Sequence, residues 1–284
     1  MRWPPYQHIF FDCDSTLTAV EGIDALADAL GKGWRIKVLT EAAMNGEVDL
    51  EEVYARRLRA LKPTRAQIQA IRQTYKQNVV EDAAGVIAAL QHLGHQVYII
   101  SGGLAEPVEE FGVFLGVPRQ HIRAVGVQYN QLAGDWWRNQ DSEYPNSDQR
   151  YLTFDQGWLT VSDGKAQIVG ELLGEQSGRS LLIGDGRSDL LAARAVDLFV
   201  GFGGVVERPA VLAQAPVTIH SPTLSPLLAL AAGPAGLRRL HHTSYQPLVD
   251  KSLHLISTGA MTFQDERLNQ KFHQAYQAVH SRPH

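Results

Sequence analysis

The sequence predicts an α/β protein built on a doubly wound parallel sheet. Three features carry that expectation. Short apolar runs recur along the chain, and several of them end in glycine or an acid. Stretches of helical periodicity separate several of them, which is the strand and crossover-helix alternation of a parallel sheet. The chain has 284 residues, of which 44% are hydrophobic and 20% charged, so it can bury a sizeable core.

The first strand is "HIFFDC" (8–13), apolar until it ends in acid. Residues 20–78 then read as consecutive helices with no strand, from "EGIDALADAL" to "TRAQIQAIRQTYKQ". Such an insert directly after the first strand is a candidate cap over a site. Alternation resumes with the helix "AAGVIAALQHLGH" (83–95) and the strand "QVYIISGG" (96–103). Residues from about 123 to 162 alternate polar with apolar and are rich in aromatics and turn residues, which predicts one or two β-hairpins. "SLLIGDG" (180–186) and "DLFVGFGG" (197–204) are further strands, and "VTIH" (217–220) is a candidate fifth. The expected division is a core of 1–19 and 79–234, a helical cap of 20–78, and a C-terminal helical extension of 235–284 with no assigned role.

Twenty-six basic residues against thirty acidic ones give a net charge of -4, too balanced for a nucleic-acid or membrane-surface partner. The plain reading of the basic cluster "RRLRALKPTR" (56–65) is a solvated helical face, with one of its arginines set apart. Cys13 is the one cysteine, so no intramolecular disulfide can form, which fits a reducing compartment. "MRWPPYQH" lacks the apolar core of a signal peptide, and "LSPLLALAAGPAGL" (224–237) is too short and broken to span a bilayer. A soluble cytoplasmic protein is expected; oligomeric state is not legible.

In open parallel sheets, ligands bind at the carboxyl ends of the strands. Those ends, or the turns near them, carry "DCDST", "SGG", "DGK" (163–165) and "GDGRSD" (184–189). Each is weak alone, since such residues favour turns on backbone grounds. A dinucleotide fingerprint fails because Asp189 stands where the third glycine is needed. Together they are complementary. Asp12, Asp14 and Asp185 offer hard oxygen ligands suited to Mg²⁺. Ser101 and nearby backbone N–H groups can hold phosphate oxygens, with Lys165 adding positive charge. One acid can attack phosphorus while the other handles protons, and a cation allows the carboxylates to lie close.

Plainer readings compete at each position. Asp12 and Asp14 could form an ordinary polar turn, and Lys165 could be a solvated first-turn lysine. A cysteine-phosphatase reading of Cys13 needs an arginine six positions on, and residue 19 is alanine; a small buried residue is the expectation. His92 and His95 have helical spacing without acid or cysteine partners, and read as surface histidines. Trp136 and Trp137 read as hairpin packing.

With these motifs in this order, residues 7–220 resemble the haloacid dehalogenase-like phosphohydrolases. The cap stretches "EGIDALA" and "LTEAAMNGEVDLEEVYARRLRALK" resemble those of the phosphoserine phosphatase branch. The resemblance implies a small phosphomonoester substrate, Mg²⁺ as cofactor and, in that branch, a place in serine biosynthesis. It implies that Asp12 is the nucleophile and Asp14 the proton donor, whose backbone carbonyl also ligates the metal. Asp185 completes the protein's ligands, with Asp189 supporting from behind. Ser101, Gly102 and Lys165 would hold the phosphoryl oxygens, while Glu21 meets the substrate ammonium and Arg57 its carboxylate. Ser188 stands where many members carry asparagine, and Leu50 where an aromatic often lines the pocket. The hairpin insert is longer than usual. Other small phosphorylated metabolites, transfer to an alcohol acceptor, and a binding protein on a retired scaffold remain as alternatives.

Overall fold

The structure, a computed structural model, describes residues 3–45, 47–48, 50–130 and 149–280. At its centre β1 (His8–Phe11) pairs in parallel with β2 (Gln96–Leu104) on one side and β6 (Ser180–Gly184) on the other. The main sheet has seven strands in the order β3-β2-β1-β6-β7-β8-β9, with β3 at Ile122–Val125, β7 at Leu198–Phe202, β8 at Val217–Ile219 and β9 at Met261–Phe263. Only β9 runs antiparallel to its neighbour in this sheet. Every residue of β1, β6, β7 and β8 is buried, as expected for strands covered on both faces.

From β1 the chain winds outward through α5 (Ala83–His92) to β2, then through α6 (Ala105–Phe114) to β3. The return passes α7 (Lys165–Leu173) to β6, then α8 (Arg187–Ala192) to β7 and α9 (Pro209–Leu212) to β8. Crossovers of one hand that travel in opposite directions place their helices on opposite faces. The reversal lies between β1 and β6, where their carboxyl ends open a crevice.

Between β1 and α5 lie four helices: α1 (Gly22–Ala29), α2 (Gly33–Asn45), α3 (Leu50–Leu61) and α4 (Arg65–Gln77). Thr64 starts α4 through a capping box, its hydroxyl accepting from the Gln67 N–H while the Gln67 side chain accepts from the Thr64 N–H. Ile68, Ile71 and Tyr75 form its buried stripe. Arg72 and Lys76, on the same helix, reach Glu110 of α6 at 2.7 and 2.8 Å.

Three details differ from the reading of the sequence. Ile122–Val125, at the start of the span read as a hairpin, joins the main sheet beside β2. The antiparallel pair is instead β4 (Val127–Asn130) with β5 (Arg150–Phe154). The segment between them, with Trp136 and Trp137, lies outside the described residues, as does the side chain of Leu50. The C-terminal region holds α10 (Ser225–Leu240), kinked at Gly233, then α11 (Gln246–Ser257), β9 and α12 (Glu266–His280). Period-2 patterning is too short in "MTF" to reveal β9, which is stabilised by pairing with the β8 edge. His95 is half-buried against the Tyr6 carbonyl because it ends the turn that leads into β2; His92 is exposed. Among the described residues, no helix is long and apolar enough to cross a membrane.

Candidate active site

The register of β1 on β6 decides which side chains meet. Phe11 pairs with Ile183, and the Asp12 N–H donates to the Ile183 carbonyl at 3.0 Å. Asp12 and Asp185 therefore emerge side by side where the two strands end. Oxygens of Asp12, Asp185 and Asp189 lie within 4.8 Å of one another, and all three residues are buried.

A buried carboxylate cluster needs compensating charge. Lys165 supplies part of it, its Nζ lying 2.7 Å from Asp12 Oδ1 and 2.7 Å from Asp189 Oδ1. It is 4% exposed, so it is not a solvated first-turn lysine. Burial alone would lower its pKa; the two carboxylates outweigh this and raise it. Gly164 makes the placement feasible: a Cβ there would sit 1.7 Å from the Trp158 carbonyl oxygen, so only glycine lets the chain enter α7 at this point. Gly184 has a similar role beside Asp189, whose Cγ would be 2.2 Å from an added Cβ. Asp189 also accepts from the Gly186 N–H at 3.1 Å.

The turn after Asp12 is tight. Ser15 takes the left-handed conformation (φ 54°), and its hydroxyl donates to Glu21 Oε1 at 2.8 Å. Asp14 Oδ1 accepts from the Gly22 N–H at 3.2 Å, and Tyr75 of α4 also hydrogen-bonds its carboxyl. Desolvation nevertheless pushes Asp14 up to about 7, with Asp12 adding to the rise. Asp185 is pushed up to about 6, chiefly by desolvation, against the pull of Arg208. Cys13 is fully buried and its thiol is raised, by desolvation first and then by the neighbouring acids. It has the character of a packed thiol rather than a nucleophile.

Ser101 is buried, its Oγ accepting from the Gly103 N–H at 2.9 Å. It lines one pocket with Gly102, Ser188, Asp12, Asp14 and Lys165, and Glu21 and Arg57 line the same pocket from the cap. Thus residues from position 12 to position 188 converge. Arg57 is 4% exposed, and its NH1 donates to Thr40 Oγ1 at 3.0 Å. Its burial sets Arg57 apart from the solvated face that is the plain reading of the basic cluster. Arg56 next to it is exposed, as a helical face would have it.

Sequence reasoning missed Arg208. Its Nε donates to Asp185 Oδ2 at 2.9 Å, and its NH2 lies 3.6 Å from Glu21 Oε1, so it bridges core and cap. "GGVVERP" offered a weak signal, a charged residue just past a glycine-rich strand end. Thr16, whose Oγ1 is 3.4 Å from Asp185 Oδ1, and Tyr75 were also passed over.

The donors that converge here are all oxygen, buried and short of counter-charge, a set that suits a hard divalent cation. A family model described as haloacid dehalogenase-like hydrolase matches residues 9–194. The chain belongs to the haloacid dehalogenase-like hydrolases. Relatives within that family make it a phosphoserine phosphatase-like phosphoric monoester hydrolase. It is 32% identical over 211 residues to a phosphoserine phosphatase of Drosophila melanogaster, covering 74% of this chain and 73% of the relative. A phosphoserine phosphatase of Albidiferax ferrireducens is 30% identical over 237 residues, covering 81% and 91%. Among solved structures, a phospho-aspartyl intermediate analogue of phosphoserine phosphatase aligns with a TM-score of 0.65 at 21% identity, over 79% of this chain and 98% of that one. At that identity the structural likeness speaks for the fold of this hydrolase. Hydrolases of the family generally use a divalent metal, and the aspartate cluster is where this chain could hold one.

Proposed function

We propose that this hydrolase cleaves O-phosphoserine to serine and phosphate through an aspartyl phosphate on Asp12. The observation that carries the reading is one pocket joining Asp12, Asp14, Lys165 and Ser101 to two cap residues, the partly buried Glu21 and the buried Arg57. The first four suit phosphoryl transfer; the last two suit an ammonium and a carboxylate.

In this reading, Asp12 Oδ1 is committed to Lys165 and to the Cys13 N–H at 2.8 Å, leaving Oδ2 to attack phosphorus. As the bond from phosphorus to the serine oxygen breaks, Asp14 gives its proton to that oxygen. A carboxyl titrating at about 7 holds such a proton near neutrality and can take one back. Asp14 next accepts the proton of a water attacking the aspartyl phosphate, which releases phosphate and restores Asp12. Lys165, Ser101 and the Gly102 N–H hold the phosphoryl oxygens, with Ser188 at the rim. Mg²⁺, held by Asp12, Asp185 and the Asp14 carbonyl with Asp189 behind them, would supply positive charge to the phosphoryl group.

The test is phosphate release in Mg²⁺ over a panel of small phosphomonoesters that includes both phosphoserine enantiomers. Turnover led by L-phosphoserine supports the assignment. Turnover led by another metabolite would replace it, and transfer to added alcohols in preference to water would make the protein a phosphotransferase.

A further inference from the structure

The cap wall of the pocket holds a second polar group that the mechanism does not use. Tyr54, three residues before Arg57 on α3, is 4% exposed and lines the same pocket. Among the described residues its hydroxyl is buried without a hydrogen-bond partner, and so is Arg57 Nε. Leaving a buried polar group unpaired costs its full desolvation, so two on one face of one helix call for an explanation. Residues three apart on a helix are surface neighbours. The Arg57 carbon Cζ lies 5.6 Å from the Tyr54 ring centroid. Phe154 packs against that ring from β5 at a centroid distance of 5.0 Å, which fixes its orientation.

Two donors next to a buried guanidinium define what would satisfy them. Burial raises the Tyr54 phenol more than Arg57 lowers it, so the hydroxyl keeps its proton. The NH1 of Arg57 is spent on Thr40, which in turn donates to Asp24 at 2.7 Å. The free donors are thus a neutral O–H and a cationic N–H. A carboxylate suits the pair, one oxygen accepting from each donor while its charge offsets the buried guanidinium; the phosphoryl end is already served by Lys165 and Ser101. We propose that the Tyr54 hydroxyl is a specificity-determining donor that binds, together with Arg57 Nε, the carboxylate of the substrate's leaving group. The inference rests on the phosphoserine reading for its substrate, and extends it to any carboxylated phosphomonoester the pocket admits.

The test compares O-phosphoserine with O-phosphoethanolamine, which keeps the ammonium and lacks the carboxylate. Tyr54→Phe keeps the ring and removes only the oxygen. The ratio of kcat/KM for the first substrate over the second is expected to fall roughly ten- to hundredfold, the loss of one hydrogen bond to a charged group. An unchanged ratio overturns the proposal, whether both rates fall or neither does. A measurement that keeps Tyr54 guards against misfolding of the variant. In the Asp12→Asn protein with tyrosine labelled at Cζ, phosphoserine should shift the Tyr54 resonance and phosphoethanolamine should not; equal shifts overturn the proposal. If the wild-type protein hydrolyses phosphoglycolate but not phosphoserine, the serine assignment falls alone. The same ratio, taken against ethyl phosphate, then decides the role of Tyr54. If it hydrolyses no carboxylated phosphomonoester, the proposal falls as well.

Discussion

Lys165 Nζ and Asp12 Oδ1 lie 2.7 Å apart, with the two side chains only 5% and 9% exposed. The contact joins the first residue of α7 to the end of β1, and Asp189 shares the same ammonium. Removing one member of such a buried set leaves the others uncompensated. Lys165→Met is expected to destabilise the fold by roughly 3–5 kcal/mol in denaturant unfolding. Adding Asp189→Asn should recover part of that loss, because one stranded carboxylate is gone. Strictly additive losses would show that the two side chains are not coupled.

Asp12→Asn keeps the shape of the side chain and loses its attacking charge. Turnover should fall by several orders of magnitude, while trapping of the unsubstituted protein with beryllium fluoride should label Asp12. Near-normal turnover of the variant would end the covalent mechanism.

The metal-free protein should lose stability as pH rises toward neutrality. Asp14 titrates at about 7 and Asp185 at about 6 in the folded state, both above the ordinary 3.8. The folded state therefore binds protons that the unfolded chain has released. Their stabilising contribution is complete below about 4 and is lost as pH climbs through 6 and 7. In chelator, Tm should be lower at pH 7.5 than at pH 5, and Mg²⁺ should narrow the gap by supplying the missing charge. A flat profile, or one with the opposite slope, would argue against an uncompensated acid cluster. Activity should require Mg²⁺ and be opposed by Ca²⁺, which accepts more ligands and would misplace a carboxylate.

Arg57→Ala should strand the substrate carboxylate in a closed pocket. The expected cost is about 2–4 kcal/mol in kcat/KM for phosphoserine, well beyond the loss on a generic aryl phosphate. Equal losses on both would give Arg57 a structural role in the cap.

Arg208→Ala should leave Asp185 and Glu21 without their shared cation, which lies 2.9 and 3.6 Å from them. In chelator the variant should melt below the unsubstituted protein, and its Tm should rise more on adding Mg²⁺. An equal rise in both proteins would separate Arg208 from the metal site.

Much of the site was legible because backbone demands and local chemistry leave marks in the chain. Asp12, Ser101 and Asp185 follow apolar runs that can only be buried strands, and Gly164 and Gly184 stand where a Cβ would collide. Arg57 was legible only through the resemblance, since its burial depends on how α3 lies over the core. β9 left no mark, because three residues carry too little periodicity and its pairing partner is distant in sequence.

By itself, the sequence determined the alternation of strand and helix, the helical insert after β1 and the placing of acids and glycines near the strand ends. These follow from periodicity and φ/ψ limits within a few residues. The tertiary structure alone decided that Arg208 lies between Asp185 and Glu21, that Tyr75 touches Asp14, and that Tyr54 faces the pocket with a hydroxyl unpaired among the described residues. Each depends on which elements become neighbours when the sheet reverses and the helices after β1 pack across it. A buried charge or donor is compensated by whatever group that packing brings within a few ångströms, and sequence spacing does not encode that distance.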